Sequence, residues 1–376
     1  MIDAIVDWLA SGVPQVPRVR GGIVAGMYRT APKVTLMLFD EAGDPAVVVK
    51  VARDVAAEPR LRAEHEALLR FGPDGPHGAF APRPHAIGRV AGRLALAEEA
   101  FTGRPMTTTY YEPGHVSSRR RVEADFACAG AWLDSFAWAT ADRAARLGDR
   151  EIERFVEEPI ARYRAEIGWS PEEAALFSYA RAAAERMRGE RLPLSGVHGD
   201  FWMGNLLVTG GRISGVVDWE LAREAVPPFR DIYKFPSSYA FYLDRGMGVR
   251  GRVPEHHRYL NGARIASPYT HWANAAGFAY AFMSGGWFAS LARRWINDRL
   301  AMHAIDASFN ASFFPVFLAE QAVTLDDITI RAGYRSLVRL LGSGRRASWL
   351  LPDHTPTSGR TSAAASDRAS HAASST

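Results

Sequence analysis

Four polar side chains lie within residues 197–220, around an otherwise mostly apolar pair of predicted strands, at spacings that suit phosphoryl transfer. His198 and Asp200 come first, Asn205 follows Asp200 by five positions, and Asp218 follows Asn205 by thirteen. When a phosphoryl group moves to a hydroxyl, one carboxylate accepts the proton of that hydroxyl, while an amide and a second carboxylate hold Mg²⁺ against the phosphates. The sequence supplies one residue for each of these tasks.

The residues between Asn205 and Asp218 predict a β-hairpin, with short apolar strands on either side of a tight turn at 209–211. A hairpin brings its two ends together, so both side chains are expected at its open end. Two oxygen donors in that position suit a hard cation that keeps several waters. An alternative is that Asp200 and Asn205 only cap a turn, as both residue types often do. The four groups at these spacings favour the catalytic interpretation.

The segments HGDFWMGN (198–205) and GVVDWE (215–220) resemble the signature of the aminoglycoside phosphotransferase and choline kinase-like family. The spacing from Asp200 to Asn205 is also that of a protein-kinase catalytic loop. The resemblance implies a bilobal, protein-kinase-like fold. It also implies transfer of the γ-phosphate of ATP to a hydroxyl of a small molecule.

The same resemblance implies a role for each residue of the motif. Asp200 is the expected base, Asn205 and Asp218 are the expected Mg²⁺ ligands, and His198 is expected to support the loop. Asp231 lies in PPFRDIYKF, which resembles the later D-P-x-x-D-L segment of the family, but a proline stands where the first Asp is usual. We therefore expect Asp231 to be structural.

Lys50 is the candidate phosphate contact of the N-terminal region. The runs 33–39 and 46–51 predict strands, and Lys50 alone interrupts the second, β-branched run. Lysine is scarce here: the chain has three, Lys33, Lys50 and Lys234, against 42 arginines. A compact ammonium suits a point contact to phosphate better than a planar guanidinium, and the family resemblance assigns it to the α- and β-phosphates. The alternative is a strand-end lysine whose ammonium reaches water.

Residues 58–71 predict a helix with a carboxylate on its inward face. Glu64 lies four residues before Leu68 on the apolar stripe, whereas Glu66 points elsewhere by the same periodicity. A carboxylate on a buried face needs a cation. We therefore predict an ion pair between Glu64 and Lys50, as in kinase-like folds.

Two further segments are candidates for nucleotide contacts. In GGIVAGMYRT (21–30), Gly22 and Gly26 could bring backbone N–H groups close to phosphates, although an ordinary hairpin fits the segment equally well. The resemblance implies an interlobe hinge from Glu98 to Ala100, whose backbone would bind the adenine.

The order of patterns predicts an α+β chain with a small antiparallel sheet lobe, one main helix in that lobe, and a larger, mostly helical lobe. We expect a nucleotide-binding lobe over 1–103, a linker over 104–121, a catalytic and acceptor-binding lobe over 122–350, and a disordered tail over 351–376. Within the larger lobe, the SPEE sequence beginning at Ser170 predicts a capping box that opens a helix.

Composition limits the possible partners and the location. A net charge of +4 without a dense basic stripe gives no reason to expect nucleic acid. A single cysteine, Cys128, excludes an intrachain disulfide and fits a reducing compartment, and the first residues lack a signal peptide, so we expect a cytoplasmic protein. The uncharged run Trp272–Ala292 is interpreted as a buried helix rather than a membrane span.

We therefore predict an ATP- and Mg²⁺-dependent phosphotransferase acting on a hydroxyl of a sugar, an amino alcohol or a natural product. The alternative is a pseudokinase-like module that binds nucleotide without turnover. Residues 232–350 contain 14 Lys and Arg against 7 Asp and Glu, which suits a neutral or anionic acceptor better than a polycationic one. The same region holds aromatic residues that either face the acceptor or form the core: Phe235, Tyr239, Phe241, Tyr242, Trp272, Tyr280 and Trp287.

Overall fold

Most of the chain is described by a computed structural model. The described residues are 2–12, 19, 21–26, 32–78, 80–241, 282–283, 286–325, 328–344 and 349–351. Residues 27–31, most of the apolar run Trp272–Ala292 and residues 352–376 lie outside them.

The smaller lobe is built on an antiparallel sheet of five strands in the order β1-β2-β3-β5-β4. The strands are β1 Gly21–Gly26, β2 Lys33–Phe39, β3 Pro45–Ala52, β4 Pro84–Val90 and β5 Arg93–Glu99. The β-branched run of β3 lies at the centre of the sheet, as its burial on both faces requires.

Helices cover the two faces of this sheet. Helix α1 (Ile2–Gly12) packs its apolar side on alternate residues of β3, among them Val47 and Val49. Helix α2 (Glu58–Phe71) packs with Leu96 of β5 in the other, larger core. Because side chains alternate along a strand, Lys50 points to the face opposite that of Val49.

The larger lobe is mostly helical, as the sequence predicts. Its helices are α3 Met106–Tyr110, α4 Arg119–Ala139, α5 Asp149–Ile152, α6 Glu158–Ile167, α7 Pro171–Arg186, α8 Phe229–Phe241, α9 Trp287–Met302, α10 Asn310–Thr324 and α11 Ile328–Gly342. A π-helical segment, Glu153–Glu157, joins α5 to α6. Ser170 and Glu173 form the predicted capping box at the start of α7.

Aromatic side chains form the centre of this lobe. The ring of Phe126 in α4 contacts the rings of Phe235 and Tyr239 in α8 and those of Phe288 and Trp295 in α9. Both Phe235 and Tyr239 are fully buried. These two aromatic residues are therefore core, and they do not offer a surface to an acceptor.

The predicted hairpin is confirmed. It consists of β10 (Leu206–Thr209) and β11 (Arg212–Val216), and Thr209 pairs with Arg212 instead of lying in the turn. The turn is thus Gly210 and Gly211 alone, with φ of +59° and +77°. Two consecutive positive φ angles are those of a two-residue hairpin turn, which glycine adopts without strain.

Short strands connect the hairpin to its surroundings. Strand β6 (Arg104–Pro105), in the segment expected to be a linker, pairs with β10. Strands β7 (Ala145–Arg146) and β8 (Arg191–Leu192) pair with each other. Strand β9 (Ser195–Val197) leads into the catalytic motif and pairs with β12 (Arg223–Val226). None of the helices in the described ranges is long and apolar enough to cross a membrane.

Candidate active site

The loop that begins at His198 is fixed by a buried carboxylate from α8. Asp231 accepts hydrogen bonds from the backbone N–H of His198 at 2.6 Å and of Gly199 at 2.9 Å. The buried His198 ring bonds the Val217 carbonyl through Nε2 at 3.0 Å, while its Nδ1 accepts from the N–H of Asp200 at 3.3 Å. Desolvation lowers the pKa of His198, so the ring is neutral and links the loop to the hairpin.

Gly199 permits this close packing. Its φ is +82°, and a Cβ at this position would lie 2.2 Å from the Leu221 carbonyl oxygen. Any other residue would have to move the backbone of the following segment.

Both carboxylate oxygens of Asp200 have a partner. The Asn205 side-chain amide donates to Oδ2 at 3.1 Å, and the Lys234 ammonium lies 2.8 Å from Oδ1. Desolvation acts to raise the pKa of Asp200, but the charge and hydrogen bond of Lys234, together with the charge of Arg230, outweigh it and the pKa is lowered. Asp200 is therefore an ionised carboxylate, and 22% of its side chain stays accessible to an incoming hydroxyl.

Lys234 is a site residue that the sequence analysis did not single out. It is buried on α8, where its ammonium also donates to Gln321 of α10 at 2.6 Å. The scarcity of lysine was the available signal, because all three lysines of this arginine-rich chain lie in this site.

Lys50 and Glu64 form the predicted ion pair, with Glu64 fully buried and Glu66 exposed. The Lys50 ammonium also lies 2.8 Å from Glu98 and 3.2 Å from Asp218. Desolvation opposes the charge on Lys50, but these carboxylates outweigh it and raise its pKa well above the usual value. Glu98 is desolvated beside other carboxylates, which raises its pKa to about 7 despite the Lys50 charge.

Lys33 is the second ammonium of this cluster and was also not singled out. Its Nζ lies 3.2 Å from Glu64, 3.0 Å from Asp218 and 2.9 Å from Glu220. With Lys50 and Glu98, the cluster holds two ammonium groups and four carboxyl groups. The carboxyl groups outnumber the ammonium groups, so the charge of the cluster attracts a cation.

Asp218 is placed for such a cation at the open end of the hairpin. The N–H of Val217 donates to the Asn205 carbonyl at 3.0 Å, so Asp218 follows directly on the hairpin base. Asp218 has φ of +65°, an uncommon conformation for a residue other than glycine, and 39% of its side chain is accessible. The two lysines outweigh desolvation and lower its pKa, which keeps it ionised.

Asn205 and Asp218 stay the predicted ligands of a shared magnesium ion, and both could offer an oxygen to it. The Asn205 amide nitrogen is bound to Asp200, which leaves the amide oxygen as an acceptor. Among the described residues, no group of three or more His, Cys, Asp or Glu side chains could hold a metal by itself. Two protein ligands agree with Mg²⁺, which takes the rest of its coordination from water and phosphate.

The remaining predicted contacts are placed but stay predictions. Gly22 is within β1, at the edge of the sheet, and Gly26 is its last residue. The Ala100 N–H donates to the Ala46 carbonyl at 3.1 Å, so an adenine contact at Ala100 would use its carbonyl. The Glu98 side chain pairs with Lys50, a contact that the hinge assignment did not include.

The chain is similar to known phosphotransferases. Residues 36–246, more than half of the chain, match the model of a family described as the phosphotransferase enzyme family. No curated protein sequence matches the chain.

The fold is also similar to solved structures. One is a thermostable mutant of aminoglycoside phosphotransferase APH(4)-Ia in a ternary complex with ADP and hygromycin B. It shares 12% identity over 90% of this chain and 97% of that chain, with a TM-score of 0.52. Another mutant of the same enzyme, bound to AMP-PNP and hygromycin B, shares 13% identity over 89% and 98% of the two chains, again with a TM-score of 0.52. The predicted α+β, protein-kinase-like fold is confirmed.

The pairing of Lys50 with Glu64 predicts a strong coupling in stability. Either single change to Ala leaves a buried charge with fewer partners and should lower the free energy of unfolding by about 3–5 kcal/mol. The double change should lower the free energy of unfolding by less than the sum of the two single changes. The difference, measured by urea unfolding, should be about 0.5–3 kcal/mol. The exposed Glu66→Ala, combined with Lys50→Ala, is the matched control and should be additive. Additivity in the Lys50 and Glu64 cycle as well would exclude the coupling.

Proposed function

Because the chain belongs to the phosphotransferase enzyme family, we propose that it moves the γ-phosphate of ATP to a hydroxyl of a small molecule with the help of Mg²⁺. The observation that carries this proposal is Asp200, an ionised carboxylate with an accessible face, held on both oxygens by Lys234 and Asn205. The structural relatives bound to ADP and AMP-PNP support ATP as the donor.

Asp200 is the proposed base. It orients the acceptor hydroxyl toward the γ-phosphate and takes its proton as the new oxygen–phosphorus bond forms and the bond to ADP breaks. Lys234 is the proposed positioning residue, since it fixes Oδ1 of Asp200 from the buried side.

Asn205 and Asp218 are the proposed ligands of Mg²⁺, which when bound neutralises charge on the phosphates. Lys50 is the proposed contact to the α- and β-phosphates. Lys33, within 3.0 Å of Asp218, adds a second positive charge beside the same carboxylate. Both lysines pair with Asp218, so Mg²⁺ would take over the contacts of this carboxylate while the lysines would be free to contact phosphate oxygens.

A screen for ADP release tests the proposal. The purified protein is incubated with Mg-ATP and a panel of sugars, amino alcohols, hydroxy acids, sugar phosphates, aminoglycosides, macrolides and nucleosides. Acceptor-dependent ADP release that is lost in Asp200→Asn supports the phosphotransferase. Binding of Mg-ATP without turnover of any acceptor would favour the pseudokinase-like alternative.

Asp200→Asn should lower kcat by about 10²–10⁴-fold, because Asn has the same shape but cannot take the proton. The KM for ATP should barely change, since the lost interaction belongs to the transition state. Melting temperature is a poor criterion here, because the variant leaves the buried Lys234 ammonium without its carboxylate. The decisive measurements are kcat and ATP affinity. A variant that keeps more than about a tenth of kcat is incompatible with a base.

Lys234→Met should lower kcat by up to about 10²-fold, the effect of a misplaced catalytic group, while the KM for ATP stays close to that of the wild type. Lys234→Arg restores the charge and should recover part of kcat. In the Asp200→Asn background, Lys234→Met should have little further effect on kcat, because Lys234 acts through Asp200. A full additional loss in that background would show that Lys234 acts elsewhere.

Asp218→Ala should abolish Mg²⁺-dependent turnover, because it removes a metal ligand. Calorimetry should show weaker ATP binding chiefly when Mg²⁺ is present. Glu224→Ala is the control, since Glu224 pairs with Arg70 and His77 outside the cluster. Unchanged Mg-ATP affinity in Asp218→Ala would contradict the metal assignment.

A further inference from the structure

A cavity of about 250 Å³ lies between α6, α8 and α10, next to the catalytic loop. Its charged lining consists of four arginines, Arg154, Arg162, Arg223 and Arg230, and two glutamates, Glu158 and Glu320. The cavity lies outside the cluster of carboxylates and lysines described above. Its formal charge has the opposite sign.

The arginines of this cavity are incompletely neutralised. Within the described part of the chain, Arg154 and Arg223 form no ion pair, while Arg162 pairs with Glu166 at the surface. Arg223 lines the cavity from an exposed position, and partial desolvation, followed by repulsion from Arg230, lowers its pKa despite the carboxylate of Glu320. A cluster of arginines with too few carboxylates to neutralise it favours the binding of an anion.

Arg230 is the buried member of the cluster, with 8% of its surface exposed. Its Nε donates to the Gly199 carbonyl at 2.7 Å, and Nη1 lies 4.0 Å from Glu320. Its Nη2 has no hydrogen-bond partner among the described residues. A buried guanidinium with an unused donor calls for a partner, and the planar fork of arginine matches carboxylate and phosphate oxygens.

The rest of the lining, apart from Thr324, is apolar and includes Phe155, Phe229, Phe313 and Phe317. The wall that carries Arg154 and Phe155 is the π-helical segment Glu153–Glu157, a type of distortion that is frequent at functional sites. The cavity therefore suits an organic anion with an apolar portion better than a bare inorganic ion.

The cavity and Asp200 share their supporting elements. Arg230 and Lys234 lie one helical turn apart on the same face of α8, and the Lys234 ammonium is 2.8 Å from Asp200. On α10, the cavity residue Glu320 precedes Gln321, which binds Lys234. Val197 lines the cavity three residues before Asp200, so their Cα atoms are at most about 11 Å apart. The cavity therefore lies close to the loop that carries Asp200.

We propose that this cavity binds a carboxylate or phosphate group of the acceptor while the hydroxyl of the same molecule lies at Asp200. This inference rests on the proposed function and narrows its substrate class to hydroxylated organic anions. It also predicts discrimination against a polycationic acceptor such as kanamycin, which would meet repulsion from Arg154, Arg223 and Arg230.

The test begins with binding, which needs no turnover. Calorimetry on the full-length protein uses phenyl phosphate as the probe and phenol as its uncharged counterpart. We expect phenyl phosphate to bind and phenol to bind far more weakly. Arg223→Gln, a change at an exposed residue, should weaken the binding of phenyl phosphate by about tenfold or more, which is the usual effect of losing a hydrogen bond to a charged group. Arg119→Gln is the control, since Arg119 pairs with Glu123 on α4.

The second measurement determines kcat and KM for the acceptors found by ADP release. The acceptors are compared in matched pairs: a hydroxy acid with its amide, and a sugar phosphate with its sugar. We expect the anionic member to be preferred, phenyl phosphate to compete with it, and Arg223→Gln to raise the acceptor KM more than it lowers kcat.

If phenyl phosphate does not bind, or if it binds Arg223→Gln as tightly as the wild type, the cavity is not an anion site. Inhibition by phenyl phosphate that does not compete with the acceptor, or efficient phosphorylation of kanamycin, overturns the acceptor assignment while the phosphotransferase stands. Arginine-dependent binding without turnover of any acceptor refutes the proposed function, and the acceptor assignment falls with it.

Discussion

The buried carboxylate of Glu64 is the constraint on which the site depends. Removing a carboxylate from water costs free energy unless cations and hydrogen-bond donors surround it. Glu64 meets this need with Lys50 and Lys33 from the sheet and with the backbone N–H of Trp219 at 3.2 Å. Trp219 follows Asp218, so the same carboxylate ties the main helix of the small lobe to the proposed metal ligand. Movement of either lobe alone would expose or unpair these charges.

In a chain with 42 arginines, the three lysines lie at positions that suit an ammonium better than a guanidinium. An ammonium is a compact charge that several carboxylate oxygens can approach from different directions, whereas a guanidinium is planar and presents its donors in a fixed fork. Lys33 and Lys50 each contact three carboxyl groups, and Lys234 lies between Asp200 and Gln321. The cavity near Asp200, by contrast, is lined by arginines, whose planar fork matches carboxylate and phosphate oxygens.

The larger lobe supports the catalytic loop through one helix. Helix α8 supplies Asp231 for the backbone of the loop, Lys234 for the Asp200 carboxylate and Arg230 for the Gly199 carbonyl. These residues recur at helical spacing, and Arg230 and Lys234 also contact Glu320 and Gln321 of α10. A ligand bound to Arg230 would therefore act on the same loop that orients the base, so acceptor binding and alignment of Asp200 would be linked through a single rigid element.

The sequence alone determined what local periodicity and motif spacing encode. The hairpin, the strands around Lys50, the α2 helix and the inward position of Glu64 follow from periods of two and 3.6 residues. The spacing of Asp200, Asn205 and Asp218 determined the candidate chemistry. The predicted pairing of Lys50 with Glu64 succeeded because only the orientation of one strand and one helix was needed.

Only the tertiary structure decided which distant groups share that site. Lys33 and Glu220 are 187 residues apart, and strand order and lobe packing bring them together. The pairing of β3 with β5 brings Glu98 to the Lys50 ammonium. Lys234 reaches Asp200 because α8 packs beneath the loop. Such contacts depend on how whole elements pack together, which local periodicity does not encode. The scarcity of lysine was therefore the only sequence feature that pointed to them.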